Sequence, residues 1–407
     1  MPKKNSHKFI SIFAVSICLY GYLSINIGLP AYPSLTTYFD TSKSFVKLSI
    51  TILLLGFGFS QFIWGTLSEK FGRRSIVIVA TVVAIFGSIL TSISESILFF
   101  TIARFIEGFG AGYASVLSRS IIADSSSEKR LHKIMSQLVA IVAFAPAISP
   151  IIGGEILHIT SWRMIYVVLA IVGGILLISS VIQLKETHKS ADRNLNLKAC
   201  LIVIKEAFQH RKFMGYFLPY SILFSGLITF YTISPYIFIE QFDFNENSYS
   251  YLLLVIGAFY AFGSFLSRKL AKIINPNKVL QIGYSLAFSS VAFAFLFSFL
   301  GLFDFYVVLI TMNIYAVSCG IISPICNTKA ILALDKKSNE RGNKGITSSI
   351  LGGGNMILSS LLSFSITNIL FDDMFKLSFY ISGIILVSFS LYYLLIQRLI
   401  VNPIKVK

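Results

Sequence analysis

The stretch ILFFTIARFIEGFGAGYASVL, residues 97–117, decides how the rest of the chain is read. It is long enough to cross a bilayer as a helix, which takes about 20 apolar residues. Yet it carries Arg104 and Glu107 three positions apart. A charge near the bilayer centre costs at least ~2.5–3.5 kcal/mol on insertion scales, so ionisable groups in such a run are functional candidates. Moving outward from this run, eleven more of similar length follow one another along the chain. The twelve cover Phe9–Gly28, Leu48–Leu67, Ser75–Ser92, Ile97–Ser118, Ile134–Leu157, Met164–Leu184, Phe213–Ile233, Tyr249–Leu266, Val279–Leu300, Phe305–Ile325, Ile346–Ile369 and Phe375–Leu395. Backbone groups in lipid must be paired internally, which leaves helices or a closed barrel, and barrel strands alternate over only about 9–11 residues. The expectation is an all-α membrane protein of twelve spans.

Composition agrees. Of 407 residues, 55% are apolar and only 13% charged, where soluble chains carry about 25% charged residues. The net charge of +16 could suggest a nucleic-acid partner, but its placement argues against one. With the N-terminus inside, 29 Lys and Arg fall on the inner side, Arg119 among them, against Lys43, Lys47, Arg163 and Lys376 outside. That is the positive-inside pattern of a membrane protein. The basic start MPKKNSHK before an apolar core resembles a signal peptide. No small-residue cleavage site follows, so it reads as an uncleaved first span. Four cysteines, three of them in apolar runs, imply neither a disulfide framework nor a metal site.

The longest polar stretch, Lys185–Lys212, separates six spans from six and contains LKACLIVIKEAF, expected as an amphipathic helix on the inner membrane surface. The organisation expected is residues 1–184 as a first six-helix bundle, 185–212 as a linker and 213–407 as a second bundle. Two six-helix halves around a midplane site are a plan of secondary transporters.

Three motifs sharpen this. Between the second and third spans stands GTLSEKFGRRS, with Gly65, Glu69, Gly72, Arg73 and Arg74. It resembles the loop signature G-x-L-[ST]-D-[RK]-x-G-R-[RK] of the major facilitator superfamily, with Glu69 in the place of the usual Asp. The resemblance implies a charge relay that latches an inner gate. The fifth span, AFAPAISPIIGGEIL, holds Pro146, Pro150, Gly153 and Gly154, and ITSWRMIY follows it. This resembles the P-x-x-x-P-x-x-G-G antiporter helix of drug:proton exporters, nearest to the Bcr/CflA branch. The fourth span resembles that branch's R-F-x-Q-G-x-G-x helix. GFGAG is not read as part of a nucleotide-binding loop, since no strand precedes it and no helix is expected to start there.

Members of this branch usually carry an acid in the first span, in a pattern like D-x-Y-L-P-A-x-P. Here the stretch is SINIGLPAYP, and Asn26 stands in the acid's place. Asparagine takes up no proton near neutral pH. Glu107 stands where the branch usually has Gln, on the same helix face as Arg104. For a buried carboxyl beside a cation, loss of water favours the neutral acid and the guanidinium favours the anion. Three readings of Glu107 stand: a relocated proton site, a structural partner of Arg104, or a contact for a cationic substrate. Glu155, near the outer end of its span, is expected to be solvated, as are Asp304, Asp372 and Asp373.

Asn26 and Arg104 are expected as polar anchors of a substrate cavity, with Phe230 and Tyr231 of the seventh span as apolar wall. Gly352–Gly354 and Asn355 mark a flexible or tightly packed point in the eleventh. The expected function is secondary active export of amphipathic drugs or metabolites by alternating access with proton antiport, from a bacterial inner membrane with both termini cytoplasmic. The alternatives are export of a self-made metabolite such as a siderophore, uptake of a nutrient, a channel, or a non-transporting sensor. With no metal-ligand cluster and no nucleophile–base pair of recognisable spacing, no enzyme and no cofactor are expected. The expected partners are a small-molecule substrate, protons and lipid, with the chain a monomer.

Overall fold

In a computed structural model of the chain, the structure describes residues 4–126, 128–188, 197–302, 304–338, 344–367 and 374–397. Among these residues the regular structure is helical throughout. The helices are α1 (Lys4–Asn26), α2 (Tyr32–Tyr38), α3 (Lys43–Phe71), α4 (Arg73–Ser92), α5 (Ile97–Ala111), α6 (Tyr113–Ser125), α7 (Glu128–Ile159) and α8 (Trp162–Ile182). After them come α9 (Leu197–Gln209), α10 (Arg211–Pro235), α11 (Glu246–Leu270), α12 (Pro276–Phe299), α13 (Phe305–Ser338), α14 (Lys344–Thr367) and α15 (Met374–Tyr392). A short 3-10 turn, Leu29–Ala31, follows α1, and a π-helical turn, Tyr236–Gln241, prolongs α10.

Every expected run lies on a helix, with α5 and α6 sharing the fourth. Ten stretches among the described residues are long and apolar enough to cross a membrane; Phe144–Ile159 of α7 is a shorter apolar one. With α14 over the eleventh run, twelve spans result. Local chemistry starts several of them. The side chains of Ser96, His210, Asn245 and Asn275 each accept a hydrogen bond from a backbone N–H in the first turn that follows, satisfying donors no helix can pair internally.

The first six spans pack mainly among themselves, through α3 on α5, α4 on α5 and α8, and α1 on α6 and α7. Among the last six, α11 and α12 pack on α13, and α10 packs on α13, α14 and α15. The two groups meet chiefly where α3 lies along α14 and α7 along α11. Without a hydrophobic drive between helices in lipid, such contacts depend on small residues. Gly58 faces the backbone of Gly353, Gly65 faces Ser349, and Gly154 faces Ser250. Leu98, Phe86, Ile178 and Phe299 stand on the outer surface, as lipid-facing side chains do.

Several boundaries differ from the sequence reading. Helix α13 runs on to Ser338, well past its apolar run, because polar residues outside the hydrocarbon can extend a helix. Lys43 and Lys47 belong to α3 rather than to a loop, and Lys47 is buried. The fourth span is interrupted at Gly112, and a helix does begin there, at Tyr113, contrary to expectation. Gly112 lies against the Phe57 carbonyl and the Ser60 hydroxyl of α3, where a Cβ would collide. Arg119, counted on the inner side, lies within α6, five positions before Asp124. The linker helix α9 forms as expected, and it docks on α10 and α14, with Phe208 and Phe217 ring centroids 5.8 Å apart. Asp372 and Asp373 lie outside the described residues.

Candidate functional site

Three groupings collect the chemistry. The first is the pair on α5. Ser96 starts that helix by accepting from the N–H of Phe99, which puts Arg104 and Glu107 two to three turns inside. Arg104 Nη1 donates to Glu107 Oε1 at 2.8 Å, and the two side chains are 1% and 0% exposed. Nη1 also points to the Ser24 carbonyl of α1 at 3.4 Å. Thr91 of α4 donates to Glu107 Oε2 at 3.3 Å. The guanidinium carbon stands 5.2 Å from the centroid of the Tyr166 ring on α8. Gly87 makes the approach possible, since a Cβ there would meet the backbone of Glu107. Four helices thus seal the pair. Arg104, expected on a cavity wall, is enclosed within the first six spans, and Glu107 is fully buried beside it. Arg104 Nη2 and the hydroxyls of Tyr20, Tyr32 and Tyr166 are buried with no protein partner.

The second grouping is at the loop between α3 and α4. Arg73 Nε donates to Asp124 at 3.0 Å, Nη1 to Ser68 at 2.6 Å and Nη2 to Glu69 at 2.8 Å. His188 Nε2 lies 3.4 Å from Glu69, and its Nδ1 lies 4.0 Å from Asp124. Gly72 turns the chain at φ +89°, a conformation that favours glycine. The Glu186 carboxylate sits over it and accepts the N–H groups of Arg73 and Arg74 at 2.9 and 3.1 Å. A carboxylate there suits the positive end of a helix. Arg74 does not join the relay; its guanidinium donates to the Val181 carbonyl of α8 at 2.7 Å. Gly65, one turn before the relay, lets α3 and α14 approach. Ser68, Glu186 and His188 were not picked out from the sequence. The only clue to the last two was an acid and a histidine immediately after the sixth span.

The third grouping lies between the two sets of six spans. Asn26 is buried, donating to the Tyr22 carbonyl at 3.0 Å, and makes no bond to Arg104. Phe230 is fully buried against Phe238, whereas its neighbour Tyr231 is half-buried. Helix α7 continues through Pro146 and Pro150. The Pro150 carbonyl accepts from Ser250 of α11 at 2.9 Å. Gly153 is pressed on the Ile27 carbonyl. The expected antiporter helix is therefore wedged between the end of α1 and α11. At the end opposite the gate loop, Lys43 pairs with Glu240 at 2.6 Å, and Thr36 shares a hydrogen bond of 3.1 Å with Tyr236. Lys43 and Lys47 each stand 5.3 Å from the Tyr236 ring centroid. Among the described residues no group of three or more His, Cys, Asp or Glu could hold a metal.

The family model described as the Major Facilitator Superfamily matches residues 13–357. An uncharacterised transporter of that type from Bacillus subtilis, YdgK, is 27% identical over 85% of each chain. A bicyclomycin resistance protein homolog from Haemophilus influenzae is 23% identical over 97% of this chain and 98% of its own. Among solved structures, a partially occluded inward-open form of the Escherichia coli xylose transporter XylE superposes with a TM-score of 0.73. It is 15% identical and covers 96% of this chain and 98% of that one, a likeness of fold.

Proposed function

The chain belongs to the major facilitator superfamily, and we propose that it exports amphipathic small molecules from a bacterial cytoplasm across the inner membrane in exchange for protons. The observation that carries the direction of transport is the relationship, over nearly the whole chain, to a bicyclomycin resistance protein homolog, with multidrug resistance proteins of the MdtL and MdtM types beside it. On this reading the chain transports and does no covalent chemistry. The excess of Lys and Arg on the gate-loop side supports a cytoplasmic position for that end.

The two ends then alternate. At the outer end, Lys43–Glu240 and Thr36–Tyr236 hold the two halves together. At the inner end, Arg73 is the latch between Glu69 and Asp124. The proton acceptor is Glu107, which with Glu155 is one of two carboxylates within the spans. A proton on Oε1 would replace the ion pair with Arg104 by a neutral contact and release the guanidinium toward Ser24, Tyr32 and Tyr166. Asn26 leaves the first span without an acid of its own.

The test is transport in proteoliposomes under an imposed pH gradient, with wild type and Glu107→Gln. Wild type is expected to accumulate amphiphile against the gradient, while the variant exchanges amphiphile but ignores the pH difference. A variant that couples as well as wild type reduces Glu107 to a partner of Arg104 and moves the search to Glu155.

A further inference from the structure

Tyrosines and small polar groups of both halves come together around Tyr22 on α1, Tyr220 and Tyr231 on α10, Tyr260 on α11, and Ser323 and Asn327 on α13. Ser323 donates to the Tyr220 hydroxyl at 3.2 Å, and Asn327 reaches the Ser323 hydroxyl at 3.4 Å. Tyr260 shares this network with Tyr220 and lies within electrostatic reach of Tyr22 and Tyr231. Tyr22, Tyr231, Tyr260 and Asn327 stay half-buried although helices surround them, which is how side chains lining an internal opening behave.

Beside them stands Arg119. It lies in the body of α6, which packs along α1 so closely that Gly21 faces Ala114. Through this packing Arg119 is near Cys18 and Tyr22, neighbours one turn apart on α1. Arg119 is exposed and stands five positions before Asp124 of the gate-loop cluster on the same helix, so water reaches it from that end. Among the described residues, the acids toward this end of α6 and α3, Asp124 and Glu69, are already paired with Arg73. Of the acids within the spans, Glu107 is sealed behind α1, α4 and α8, and Glu155 is near the far end of α7. Asn26 supplies an amide and no charge.

We propose that this space binds amphiphiles bearing an anionic head, a carboxylate or a similar oxyanion, which pairs with Arg119 while an aromatic body lies on the tyrosine wall. The proposal deepens the export reading and rests on it for the sense of transport. A planar guanidinium matches a carboxylate with two parallel hydrogen bonds. Tyrosine faces and hydroxyls accommodate a ring with few polar substituents. A cationic head would meet like charge at Arg119, while Asp124 and Glu69 are held by Arg73.

The experiment is equilibrium binding to the full-length protein in detergent, using three probes with one aromatic body: 2-naphthoate, 2-naphthamide and 2-naphthylmethylammonium. Wild type is expected to bind naphthoate about tenfold more tightly than naphthamide, and the ammonium probe weakest. Arg119→Gln should lose the preference for naphthoate while binding naphthamide as before, and Arg119→Lys should keep part of it. Retained naphthamide binding shows that the variant is folded. Preference for the ammonium probe, an unchanged naphthoate preference in Arg119→Gln, or no binding of any probe would each overturn the proposal. Binding needs no gradient, so a protein that binds as described and moves nothing across liposomes refutes export alone.

Discussion

Two arginine–carboxylate clusters lie in the first six spans, one two to three turns inside the fourth span and one at the loop between α3 and α4, and their surroundings differ. The Arg104–Glu107 pair is 1% and 0% exposed and held by single contacts from three neighbouring helices. Around Arg73, the guanidinium is 5% exposed, but its acids are 22% and 23% exposed and a histidine stands beside both. A sealed pair exchanges neither partner with water, so its state changes only by a proton or by helix movement. A rim cluster keeps water at hand to take over its bonds, so it can open and close repeatedly. The same kind of ion pair is sealed in one place and open to water in the other.

The sharpest way to break this comparison is at the sealed pair. Arg104→Leu leaves a buried carboxylate without its cation, which costs about 3–5 kcal/mol. The unfolding midpoint in detergent should fall accordingly, and the double variant Arg104→Leu/Glu107→Leu should recover most of the loss. A single variant no less stable than the double would show that the site is wet. At the rim, Arg73→Ala removes three hydrogen bonds, two of them to carboxylates. The comparison gives a smaller stability loss, about 1–3 kcal/mol, with transport falling more than the midpoint does. Arg73→Lys should not restore the rate, because one ammonium lacks the planar fork that reaches Ser68, Glu69 and Asp124 together. The smallest effect belongs to Lys43–Glu240, whose side chains are 27% and 34% exposed. Glu240→Gln should cost about 0.2–1 kcal/mol. The exchange Lys43→Glu/Glu240→Lys should restore wild-type transport at low salt if this contact closes the outer end.

The sequence made the twelve spans legible because lipid leaves a long apolar run few alternatives to a helix. It also exposed Arg104, Glu107 and Arg73, since charges in such runs or in a glycine turn stand out. The surroundings were not legible. Ser24, Thr91 and Tyr166 reach the buried pair from three other helices, and hydroxyl and aromatic residues are too common in these spans to be singled out by position. Glu186 and His188 lie more than a hundred residues from the loop they complete. That Arg119 belongs to a helix was hidden because counting by loop takes no account of how far a helix continues past its apolar run. Gly112 was hidden inside a glycine-rich run where each position looks equally suited to close packing.

The Glu186 carboxylate that caps α4 carries a consequence for how the chain is made. It accepts from the N–H groups of Arg73, Arg74, Thr187 and His188, and the acids that hold the Arg73 side chain are Glu69 and Asp124. All these residues precede position 189, so a ribosome that has delivered the sixth span and the few residues after it, through His188, has delivered every named part of the inner cluster. The outer contacts of Thr36 and Lys43 must wait for Tyr236 and Glu240. During insertion the nascent protein can therefore complete its inner latch before its outer one, and the later helices arrive at a template already formed.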